Sequence, residues 1–203
     1  RELAMLGDDD EMQRFIYALE SEDESIKYEA ALSLSKICSS ASIEPLKSVL
    51  KKENSMRIKI VILDFFSCIK GNKSFMEDML KLSSSPNATI RFKSTLALAN
   101  IKNKKVLTRM EEIYSNSKDF GIKLAAMKGL IEHGKTPETG VLNAALASSD
   151  SEIQLLALDI IKSFDVDTAI PLLRLALENK DPKVRLEAAH QIVKRLAKKR
   201  KKK

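Results

Sequence analysis

Apolar residues recur at a fixed interval through almost the whole chain. Ile26, Ile58, Ile90, Ile122, Ile153 and Val184 are separated by 32, 32, 32, 31 and 31 residues. Eight residues after each of these anchors comes Leu34, Phe66, Leu98, Leu130, Ile161 or Ile192. Four residues after them lies a mostly small set, Ala30, Ile62, Ser94, Ala126, Ala157 and Ala188. Such offsets trace one face of a helix with about 3.6 residues per turn. A shorter amphipathic segment precedes each anchor helix: Met12 to Leu19, Glu44 to Leu50, Phe75 to Leu82, Val106 to Tyr114, Val141 to Leu146 and Ala169 to Leu177. Asp23, Asn87, Asp119, Asp150 and Asp181 stand three residues before their anchors, with Ser55 in that slot of the second unit. All are residue types that accept hydrogen bonds from the unpaired N–H groups of a helix start. The unit is helix, turn, helix, repeated six times, and the six anchors are expected to be buried.

The last unit carries a family resemblance. Ala169-Ile170-Pro171-Leu172-Leu173, then Asp181-Pro182-Lys183-Val184-Arg185, then Ala188-Ala189 resemble the HEAT repeat, in the short form named after phycobilisome lyases. Pro45 and Pro171 both stand thirteen residues before their anchors, as in the kinked first helix of such repeats. The resemblance implies an all-α fold, a right-handed α-solenoid of about six HEAT-like hairpins with second helices lining the concave side. It divides the chain into an acidic lead-in over residues 1–11, one repeat domain over 12–196 and a basic tail over 197–203. It also implies that the acid before one anchor pairs with a base in the next repeat.

Composition agrees with a packed helical fold. Hydrophobic residues make up 44% of the 203 positions and charged residues 31%, which suits a buried core, while 6 Gly and 5 Pro are few for many short strands. No apolar run is long enough to span a bilayer, and no charged-then-apolar leader opens the chain. Cys38 and Cys68 lie inside apolar helical patterns and read as reduced core residues of a cytoplasmic protein, with a nuclear location the alternative that the basic tail offers in a eukaryote.

Charge is unevenly distributed. Residues 1–50 carry a net −6, residues 51–135 a net +9 and residues 136–193 a net −4, whereas the last ten residues alone contribute +8. The position after each anchor is Lys27, Lys59, Arg91, Lys123, Gln154 or Arg185, with Arg91 and Lys123 lacking an obvious acid in the preceding repeat. The next position is apolar in every unit: Tyr28, Ile60, Phe92, Leu124, Leu155 and Leu186. This column is either packing between repeats or an apolar furrow. Together these columns nominate Lys59, Arg91, Lys93, Lys123, Lys128, Tyr28 and Phe92 as partner-binding residues. The tail, Lys198, Lys199, Arg200, Lys201, Lys202 and Lys203, is a polyanion-binding candidate expected to be too self-repelling for helix.

Catalysis finds little support. His133 and His190 are two repeats apart, and no HExxH, CxxC or phosphate-binding glycine loop occurs. The residues also lack the His-Glu pairs of deoxyhypusine hydroxylases and the Trp of HEAT-like alkylpurine glycosylases, and no bilin-lyase motif carries over. A lyase or glycosylase would need a perturbed acid such as Asp64 or Asp159. The expectation is a non-catalytic protein-binding scaffold or adaptor, without metal or cofactor, that takes an acidic or amphipathic segment. A nucleic-acid-binding solenoid using the basic middle repeats and tail is the main alternative, and anionic lipid is a further polyanion of that kind.

Overall fold

A computed structural model describes the backbone of residues 9–201 and the side chains of residues 11–197. Twelve α-helices and no strand occur among the described residues. They alternate as first and second helices: α1 (Asp9–Ala18) and α2 (Glu24–Ile37), α3 (Ile43–Lys52) and α4 (Met56–Cys68), α5 (Met76–Leu82) and α6 (Ala88–Leu98), α7 (Lys104–Asn116) and α8 (Phe120–Glu132), α9 (Gly140–Leu146) and α10 (Ser151–Ile161), α11 (Val166–Leu177) and α12 (Pro182–Lys201). Each anchor lies within its second helix, as the periodicity predicts.

The helix starts follow from the turn residues. Asp23, Asn87, Asp119 and Asp150 each accept a hydrogen bond from the backbone N–H of the anchor three residues on, at 3.2, 3.0, 3.1 and 3.5 Å. Asp181 instead takes the N–H of Lys183 at 2.8 Å, and Ser55 makes no cap bond. A further column completes the turn. Ser21, Glu53, Ser85, Ser117, Ser148 and Asn179, five residues before the anchors, each accept a hydrogen bond from the backbone N–H of the residue two positions on. Side chains thereby satisfy donors that a helix start would otherwise leave open.

The chain divides into two compact units, residues 1–109 and 110–203. In the first, α4 packs between α2 and α6. Its core is aromatic at the centre, where the Phe66 ring lies 5.3 Å from Phe65 and 4.5 Å from Phe75, all three fully buried. In the second, α10 packs between α8 and α12 around aliphatic residues such as Leu124, Met127, Ile160, Ile161, Leu173 and Val184. Gly121 lets α8 approach α10 closely, since a Cβ there would come within 3.0 Å of Ile153 Cδ1.

Three expectations are corrected. Ile26 is 50% exposed while the other five anchors are buried, because no earlier second helix covers the anchor side of α2 among the described residues. Cys38 and Cys68 are joined in a disulfide, with Cα atoms 6.3 Å apart, and are not core thiols. Each lies at the end of a second helix, and their separation of 30 residues is nearly one repeat, which brings equivalent ends of α2 and α4 together. Cys68 is exposed and Cys38, in the left-handed conformation at φ 57°, is half-buried. The third concerns the tail: α12 continues through Lys201, where cations suit the negative end of the helix dipole and an established helix need not nucleate again. The side chains of Lys198 to Lys203, and Lys202 and Lys203 altogether, lie outside the described residues.

Candidate functional site

Two of the bases that follow the anchors, Arg91 and Arg185, serve their own turns. Arg91 donates from one guanidinium nitrogen to the carbonyls of Ser85 and Pro86, both at 2.8 Å, and Arg185 does the same to Asn179 and Lys180 at 2.8 and 2.9 Å. Gln154, at the equivalent position, donates to the carbonyl of Ser148. The acids three residues before the anchors are occupied as caps, so the expected acid-to-base links between these two columns are replaced by bonds within each turn. Among the described residues of this column, Lys27 reaches across repeats, to Glu53 at 3.3 Å. Burial would raise the Glu53 carboxyl, but the N–H groups of Ser55 and Asn54 and the Lys27 charge together hold it below its ordinary value.

Pairing between second helices occurs further along the helix. Lys93 meets Asp64 at 2.7 Å in the first unit, and Lys128 meets Asp159 at 2.9 Å in the second. Lys162 then joins Asp159 at 3.5 Å to Glu187 at 3.1 Å, so alternating charges run from α8 through α10 to α12. Burial pushes Asp159 up, yet Lys128 and Lys162 hold its carboxyl below the usual range. Burial similarly opposes the charge on Lys162, but Glu187 and Asp159 raise it above the usual lysine value. An acid held ionised in this way is unsuited to donate a proton near neutrality.

These contacts relocate the surface candidates. Lys93 is 7% exposed and paired, so it is withdrawn from solvent and its expected partner-binding role is corrected. Arg91 is engaged by turn carbonyls, and Lys123 lies 5.9 Å from the centre of the Tyr114 ring. Tyr28 is half-buried beneath the Arg57 guanidinium, 3.5 Å from the ring centre, and Phe92 is half-buried as well. Lys59 is half-buried and Lys128 is tied to Asp159. His133 bonds the carbonyl of Gly129 through Nδ1 at 2.8 Å, and His190 lies exposed on α12. No cluster of three or more metal-ligating side chains occurs among the described residues.

The apolar column two past the anchors opens in the second unit. Leu124 is fully buried, whereas Leu155 is 36% and Leu186 73% exposed. Those two leucines, with Lys162, Lys183, Glu187 and His190, line a surface cavity of about 380 Å³ between α10 and α12. The sequence pattern contained this column without its gradient of burial, which depends on how many neighbouring helices cover each member.

Residues 26–52 match the family model described as PBS lyase HEAT-like repeat. This segment is similar to a HEAT-like repeat. The match starts on the anchor Ile26 and covers α2 and α3, so the HEAT-like frame begins at a second helix and ends with the next first helix. An archaeal HEAT-like repeats protein from Thermococcus onnurineus NA1 is 18% identical, with 94% of this chain and 88% of that chain covered and a TM-score of 0.47. An engineered protein is 20% identical over 90% of this chain and 95% of its own, with a TM-score of 0.48. A designed armadillo repeat protein in complex with the peptide (KR)4 is 16% identical over 88% and 97%, with a TM-score of 0.47. No curated protein matches the sequence. No helix among the described residues is long and apolar enough to cross a membrane.

Proposed function

We propose that this chain is a non-catalytic protein-binding scaffold whose second unit receives an amphipathic segment of another protein. The observation that supports this reading is the opening of the apolar column at Leu155 and Leu186, beside charged groups on the same surface. A small apolar strip rimmed by Lys162, Lys183, Glu187 and His190 suits a segment with alternating apolar and acidic positions. Its apolar side chains cover the leucines and its carboxylates meet Lys183 at the rim. The ion pairs among Lys128, Asp159, Lys162 and Glu187 keep α8, α10 and α12 in register, so the surface is preformed.

Affinity capture by the wild-type chain, compared with a Leu155→Glu/Leu186→Glu variant, tests the proposal. Both leucines are exposed, so the variant should retain its helical content and its Tm within a few degrees. The proteins held by the wild type should be lost from the variant. Identical captured sets from the two chains would refute the assignment of this surface.

A further inference from the structure

The two end helix pairs expose complementary faces. Within each unit, successive second helices touch in order, α2 to α4 to α6 and α8 to α10 to α12. The side turned toward the preceding helix carries the anchor and the residues seven and eleven positions later. In α12 these are Gln191, which donates to the Leu158 carbonyl at 2.8 Å, and Arg195, which donates to the carbonyls of Phe164 and Ile161 at 2.8 and 2.6 Å. The side of α10 that receives them carries Leu158 and Lys162, five and nine residues past its anchor. At the same offsets α12 carries Ala189 and Val193, followed by Leu196. Positions 189, 193 and 196 form one helical stripe, in which Val193 is 67% exposed and Leu196 is also open to solvent.

Within each unit, such a side is covered by the anchor side of the next second helix. Ile58, Ile90, Ile153 and Val184 are buried in that manner of packing within their units, and among the six anchors the exposed one is Ile26. The first helix pair also presents Tyr17, 81% exposed, next to Ile16 and Glu20. Charge favours the same match. Residues 1–50 hold 11 acidic and 5 basic side chains, with Glu20, Glu22, Glu24 and Glu29 all exposed. Near the stripe on α12 lie Arg185 and Lys194, and 8 of the last ten residues are basic.

We propose that the outer face of α12 binds the Ile26 face of a second copy of this chain, joining copies head to tail. The contact repeats the geometry by which one second helix covers the last, with opposite charges selecting the two ends. Because it joins two different surfaces, it leaves an acidic end and a basic end free and extends to further copies.

Light scattering on the whole 203-residue chain should show a mass that rises above 22.7 kDa with concentration at low salt and falls back as salt screens the charges. Ile26→Lys blocks the first face and Val193→Glu the last, so each variant alone should stay at the monomer mass. An equimolar mixture of the two should form a dimer and nothing larger, since each supplies the face the other lacks. Circular dichroism checks that both remain helical, and Leu196→Glu serves as the last-face variant should Val193→Glu lose structure. A wild type that is monomeric up to high concentration at low salt overturns the proposal, as it would if another protein or further residues of the same polypeptide occupied the α12 face. Self-association that persists in Ile26→Lys alone also overturns it, because copies would then meet through like faces.

Discussion

The two compact units use one repeat and hold it together differently. In residues 1–109 two neighbouring second helices are joined by a disulfide at their ends, and three phenylalanines from α4 and the start of α5 pack together in the core. Residues 110–203 have an aliphatic core, a chain of ion pairs across three second helices, and side chains of α12 bound to carbonyls at the end of α10. The shared anchor pattern therefore fixes which helix faces meet, while the residues between the anchors decide whether the joint is covalent, apolar or ionic. One consequence is that the first unit adds a redox-sensitive joint to its ion pairs, whereas the chain of ion pairs in the second answers to pH and salt.

The largest way to break the contrast is to empty the aromatic core. Phe66→Ala removes a fully buried ring in contact with two others and should cost about 3–5 kcal/mol. Hydrogen exchange should report the loss of protection chiefly in the first unit; equal loss in both would show that the core is shared. Next comes the disulfide. Reduction, or Cys38→Ser, should lower stability by about 2–4 kcal/mol through the freedom regained by the unfolded chain. A reductant should then shift the wild-type Tm and leave the Cys38→Ser variant unmoved.

The smallest effect sharpens the comparison. Asp159 and Glu187 have carboxyls held below their ordinary values in the folded chain. For such groups the stabilisation is complete above the unfolded value near pH 4 and disappears as pH falls through the folded value. Asp159→Asn should cost about 0.5–1 kcal/mol at neutral pH, given that the pair is partly exposed, and should flatten the acid side of the stability profile. Lys162 is shifted upward, so its contribution fades at alkaline pH as the pH passes its raised value. Denaturant titrations of wild type and variant across the acid range check the first sign, and of the wild type across the alkaline range the second.

Fold was legible because helices packed on both sides require apolar residues at fixed offsets, and six rows of such residues leave little freedom. The exposure of Ile26 was not, since a periodic pattern looks the same in the middle of a stack and at its end. The disulfide had a signal in the separation of Cys38 and Cys68, close to one period, yet each cysteine read alone as another apolar core position. The turn column from Ser21 to Asn179 was equally visible as small or acceptor residues five before each anchor, and its role emerges from the backbone N–H groups facing it. Charged columns were the least legible. Lysine and arginine side chains reach several positions, so Lys93 found Asp64 on a neighbouring helix and Arg91 found carbonyls behind it, where spacing alone pointed both outward.

The acceptors that close each turn belong to the same stretch of chain as the donors they satisfy, mostly within three residues. Each second helix can thus start without waiting for a distant segment to arrive. Chains whose early bonds are this short in sequence have little loop-closure entropy to overcome, and they reach the native state quickly. Folding in such an array begins at whichever turn closes first and spreads to the helices on either side.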